Sequence, residues 1–224
     1  MASGSSARKD REERLEKVAA LQAAQDRAER RRRAILVGVI ALVVLVLAVP
    51  TALVVLDAQR ENASVEEAAA EPIEGEETQE VPSAAHVTGD VPEDQVVVRE
   101  AEGGALPPIG GDHDPVWQNC GYYAEPVRVE NAVHSLEHGA VWVTYQPDLA
   151  EEQVAQLREL AAQESYLLVS PYEGLAAPVV ATAWGVQLEL ESVSDERLPA
   201  FLERYLQGEQ TPEPGAACQG GVGG

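Results

Sequence analysis

Residues 140–170 read AVWVTYQPDLAEEQVAQLRELAAQESYLLVS, and this stretch decides the fold. AVWVTY (140–145) and YLLVS (166–170) are short runs rich in β-branched and aromatic side chains, the composition of buried strands. Between them Val154, Leu157 and Leu160 recur at helical spacing. Asp148, with Glu151 three residues on, predicts a capping box at the start of that helix. Two strands joined by one helix are expected to be parallel, with a right-handed crossover.

Downstream, residues 179–184 and 186–190 read as a hairpin about Gly185. Ser194 starts a last helix, with Pro199 in its first turn and Leu198, Phe201, Leu202 and Tyr205 facing the core. Upstream, residues 96–98 (VVV) make a short strand. Residues 101–111, with Gly103-Gly104, Pro107-Pro108 and Gly110-Gly111, exclude both helix and central strand. The expected fold is α/β: a small mixed sheet with covering helices over 96–207, followed by a Gly-rich tail, 208–224.

Charge and aromatics are unevenly spread. The chain has 38 acidic and 16 basic residues and a net charge of -22, which excludes the basic face a nucleic-acid binder needs. Residues 1–33 hold ten of the basic residues and read as a charged cytoplasmic helix, with Leu15, Val18 and Leu21 at spacing three. All ten aromatics fall between Trp117 and Tyr205. Residues 57–95 carry twelve acidic residues, one arginine and no aromatic, and are expected to be a disordered acidic linker, with His86 a solvated bystander.

Residues 34–56, AILVGVIALVVLVLAVPTALVVL, hold no charge. As a helix they span about 34 Å, enough to cross the bilayer. Arg30, Arg31, Arg32 and Arg33 precede the run and Asp57 follows it, so the positive-inside rule predicts a cytoplasmic N-terminus and an extracytoplasmic C-terminal domain. The run is longer than a signal-peptide core and no clean A-x-A follows it, which favours an uncleaved, single-pass signal anchor in the cell membrane. The lipid bilayer is the partner this segment implies.

Cys120 and Cys218 would then lie where disulfides persist, and two cysteines favour a bridge over a thiolate metal site. Three of the four histidines fall close together: His113 in GGDHDP, then His134 and His138 in HSLEHG. On a helix over 130–138, His134 and His138 share a face one turn apart, with His113 a third metal ligand from a loop. Glu137 would orient a histidine or activate a bound water. Zinc or copper suits imidazole ligands, and the lone methionine, Met1, is on the wrong side for a copper(I) site. Two other readings stand beside this one. The histidines near Trp117, Tyr122, Tyr123 and Trp142 simply hydrogen-bond loop backbone in a structural partner of a membrane complex. Alternatively, His134–His138 is the H-x-x-E-H pattern of a metallohydrolase, against which the two-turn helix counts. No glycine loop has nucleotide-binding context.

PPIGGDHDPVWQNCGYYAEPV followed by ENAVHSLEHGAVWVTY resembles the bacterial membrane-anchored family called domain of unknown function 3105. The resemblance covers about residues 96–218, with the His113, Trp117, Cys120-Gly121 and HSLEHG elements in order. It implies a one-span anchor, an extracytoplasmic domain with no established activity, and His113, His134, Glu137 and His138 as one site.

Overall fold

The computed structural model describes residues 3–223, with the side chains of residues 3–13 and Glu93 left aside. Residues 1, 2 and 224, at the ends of the expected charged segment and tail, lie outside the described residues. The chain divides into two units, Met1–Glu61 and Asn62–Gly224.

The first unit is helix α1, Ser3–Ala70, which continues beyond it and contains Pro50. It is long and apolar enough to cross a membrane by length and composition. Its large apolar side chains between Ile35 and Leu56 lie 47–69% exposed. A surface that apolar is unstable in water and is stable in hydrocarbon.

The second unit is a mixed α/β fold. Its six-stranded sheet runs in the order β1-β8-β7-β5-β6-β4. The strands are β1 (Glu76–Thr78), β4 (Gly121–Tyr122), β5 (Val141–Tyr145), β6 (Leu167–Pro171), β7 (Val179–Ala183) and β8 (Val186–Leu190). A separate two-stranded ribbon pairs β2 (Val96–Val97) with β3 (Gly110–Gly111). β5 and β6 are parallel, as the intervening helix α3 (Glu151–Gln163) predicts, and the β7–β8 hairpin turns at Trp184-Gly185.

Both faces of the sheet are covered, which explains the unbroken apolar runs of β5 and β6. Val141, Val143, Leu167 and Val169 pack with Leu157 of α3 and with Leu198, Phe201, Leu202 and Tyr205 of α4 (Arg197–Tyr205). Trp142 and Leu168, pointing the other way by the period of two, pack with Ala132, Val133 and Leu136 of α2 (Val129–Glu137).

Four expectations need correction. Residues 57–95 are not a disordered linker. α1 runs to Ala70, β1 pairs with β8, and His86 bridges His113. Composition weighed only apolar area, whereas this segment is held by backbone pairing, by buried Ile73, and by arginines. Arg197 Nη1 donates to Glu74 O (3.0 Å), Arg204 Nη1 to Ala69 O (2.6 Å), and Arg99 pairs with Glu77 (3.2 Å). The folded unit therefore extends well before residue 96. Nor is 208–223 a loose tail: Thr211 is buried, Val222 N donates to Trp117 O (2.9 Å), and Cys218 is bridged to Cys120 with Cα atoms 5.4 Å apart. Asp148 does not cap α3. The N-cap is Ala150, because a turn in which Leu149 N donates to Gln146 O (2.9 Å) delays the helix. Finally, α4 starts at Arg197 rather than at Ser194, with Asp195 Oδ1 accepting from Arg197 N at 3.0 Å.

The disulfide closes a loop across 98 positions of sequence. Replacing both cysteines with serine is expected to lower unfolding stability by about 2–5 kcal/mol, read as a lower denaturation midpoint; an unchanged midpoint would show that the tail is held without the bridge.

Candidate metal centre

Helix α2 is the scaffold of the site, and it is buried from Asn131 to Glu137. A polar helix at that depth needs its side chains bonded. Asn131 Nδ2 donates to Val116 O, and Ser135 Oγ donates to Gln118 O at 2.6 Å. The C-terminus is closed by two bonds, Gly139 N to Leu136 O (3.0 Å) and Ala140 N to Ser135 O (2.9 Å). This is a Schellman turn, and it requires the φ of +97° that Gly139 adopts. The turn ends the helix at Glu137, leaves His138 as C-cap, and sends the chain directly into β5.

His134 and Glu137, three residues apart on α2, meet His113 from the loop after β3 and His86 from the segment after β1. The ligand-type atoms of these four side chains lie within 4.8 Å of one another. All three imidazoles turn Nε2 toward Glu137 Oε2, at 3.0 Å from His113, 3.3 Å from His86 and 3.9 Å from His134. Two of the rings are fixed from behind: His113 Nδ1 donates to Gly111 O (2.8 Å) and His134 Nδ1 to Asp114 O (2.7 Å). Such bonds set the tautomer, so each Nε2 presents a lone pair unless a second proton is bound. His113, His134 and Glu137 are buried at the side chain, whereas His86 is 44% exposed.

The charge pattern follows from this crowding. Burial, aided by the neighbouring histidines and opposed by the bond to Asp114, pushes His134 down to about 4. Burial alone would raise the Glu137 carboxyl, but hydrogen bonds from His113 and His86, made when their Nε2 atoms carry a proton, hold it below its ordinary value. A neutral His134 with Nδ1–H already donated leaves a bare nitrogen facing a carboxylate, an arrangement a cation resolves.

His138 is placed differently. Its Nδ1 donates to Ala217 O (2.7 Å), and its Nε2 faces Glu213 Oε2 at 3.8 Å, with the ring 5.0 Å from that of Trp117. The histidines of the H-x-x-E-H pattern thus present Nε2 to different carboxylates, and Glu137 sits among the ligand atoms. Ser135 is committed to backbone carbonyls. His86, expected as a solvated bystander, is part of the cluster. The signal that pointed to it was Gly110, which the segment carrying His86 approaches closely through Val81. A Cβ on Gly111 would lie 2.5 Å from Gln95 O, and one on Gly110 would lie 2.8 Å from Val81.

A family model described as "Protein of unknown function (DUF3105)" matches residues 101–220. This chain belongs to the DUF3105 family. No curated protein and no solved structure matches it. In this DUF3105 protein His113, His134, Glu137 and both cysteines fall inside the matched stretch, and His86 comes from before it.

The His134 environment fixes a sign for pH. A histidine held neutral by folding binds fewer protons in the native than in the unfolded state. Its contribution to stability is full above the unfolded value of 6.5 and is lost as pH falls toward about 4. The denaturation midpoint of metal-free protein should therefore fall across that window more steeply than in His134→Gln. Parallel curves would contradict the assignment.

Proposed function

We propose that this DUF3105 protein is a single-pass membrane protein with a cytoplasmic N-terminus, whose extracytoplasmic domain binds one metal ion through His86, His113, His134 and Glu137. The observation that carries the reading is the convergence of three imidazole Nε2 atoms on one buried carboxylate oxygen, with two rings locked from behind by backbone carbonyls. Three imidazoles and one carboxylate suit zinc or copper(II), for which ligand distances are about 2.0–2.2 Å with zinc. The four ligand-type atoms lie within 4.8 Å of one another, and closing on such an ion draws them together. The orientation is supported by Arg30–Arg33 before the apolar run, and the compartment by the Cys120–Cys218 disulfide, which persists in oxidising surroundings. A bacterial cell envelope fits both features.

One observation favours a second reading, in which the cluster is only an ion-paired network holding a structural partner of a membrane complex. The 3.0 Å contact of His113 Nε2 with Glu137 is a hydrogen-bond distance when that ring is an imidazolium.

Full-length protein in detergent, dialysed against zinc or copper(II), separates the two. The metal reading predicts close to one ion per chain, lost in His134→Ala and in His113→Ala and kept in His138→Ala. It also predicts proton release on loading and weaker binding as pH falls, since the ligands must be deprotonated. Folded wild-type protein that takes up neither ion would leave the ion-pair network.

A further inference from the structure

The four side chains of the cluster are not equally fixed. His113, His134 and Glu137 stand on α2 and the loop after β3, and their side chains are at most 5% exposed. His86 stands on residues 79–92, every one of which is exposed or half-buried. That segment is anchored at both ends, by β1 on β8 and by β2 on β3, and lies over the cluster between them as a strap. It carries one deep face of no size: Val81 and Ala84 only partly bury against Trp184 and its neighbours.

Its middle is held by a few polar bonds. Val87 N donates to His113 O (2.7 Å), and His113 N donates to Ala85 O (3.0 Å). Asp112 Oδ1 accepts from Ala85 N (3.0 Å) and from the Ser83 hydroxyl. Further along, Arg128 Nη2 donates to Gly89 O at 2.7 Å. Segments with little buried apolar area and mostly exposed hydrogen bonds open locally at low free energy.

We infer that the strap 79–92 is the lid of the metal centre, that His86 is its exchangeable ligand, and that Asp112 positions that ligand by pinning the backbone on its N-terminal side. The inference rests on the metal reading above and adds to it that the cation is cargo, loaded and released past His86, rather than a permanently enclosed structural ion. With the strap closed, three imidazoles and a carboxylate hold the ion. With the strap open, His113, His134 and Glu137 hold it and solvent or an incoming ligand takes the fourth position. Asp112 touches none of the ligand atoms, so its effect passes through the strap.

The test loads full-length protein in detergent with zinc and, separately, with copper(II), then follows release to a chromogenic chelator by stopped flow. Removing His86 (His86→Ala) should leave one ion per chain and speed release by about tenfold or more, the range of a lost supporting interaction. Asp112→Ala, with every ligand present, should speed release by about tenfold, while Asp112→Asn, which keeps a carbonyl acceptor, should return the rate to within about twofold of wild type. Hydrogen exchange at Ala85 and Val87 should slow on loading in wild type and stay unchanged in His86→Ala. Release rates equal in wild type, Asp112→Ala and His86→Ala, with one ion bound in each, would overturn the lid while leaving the metal centre intact. Loss of all binding in His86→Ala would make His86 an integral ligand and overturn exchange past it. A wild type that binds neither ion defeats the metal reading itself, and the lid with it.

Discussion

Glu137 is a carboxylate taken out of water, and a buried carboxylate is stable only when donors or positive charge surround it. Most of the polar architecture of the domain answers that demand. The helix that carries Glu137 is bonded along its flank through Asn131 and Ser135 and is stopped by the Gly139 turn one residue after the next histidine. Loop 112–120, to which it is tied, returns His113 to the carboxylate and offers Asp114 O to His134. Asp114 is itself steadied, since Arg128 at 2.5 Å and the Val116 amide hold its carboxyl below the ordinary value against the upward push of burial.

The scaffold behind this site was legible where one signal sufficed. Residues 140–190 alternate β-branched strands with one amphipathic helix, and covering both sheet faces requires just such runs. The parallel pairing of β5 with β6 followed from the helix between them. What was not legible was order without hydrophobicity. β1 has the sequence Glu-Glu-Thr and belongs to the sheet through backbone pairing with β8, with acidic side chains met by Arg99 and Tyr205. No periodicity marks such a strand. Asp148 misled for a related reason: a local turn, invisible to a capping rule, outbid the side chain.

The site divides in the same way. His134 and Glu137 were readable because helical spacing brings i and i+3 together, and His113 because a glycine loop brings it near. Spacing alone equally joined His138 to His134, but the returning chain offers Ala217 O and Glu213 to His138 and turns its Nε2 elsewhere. The returning chain is held on both sides of that carbonyl, by the Tyr166 hydroxyl donating to Ala216 O at 2.8 Å and by the disulfide at Cys218. His86 depended on a strap held by backbone bonds to His113 and by Asp112, a feature of three-dimensional fit rather than of composition.

The most direct measurement is X-ray absorption at the metal edge of protein loaded with one equivalent of zinc. A centre made by His86, His113, His134 and Glu137 predicts three imidazole nitrogens and one carboxylate oxygen at about 2.0–2.2 Å, with one imidazole lost in His86→Ala and none in His138→Ala. A spectrum of oxygen ligands alone, or one that changes with His138→Ala and not with His86→Ala, would contradict it.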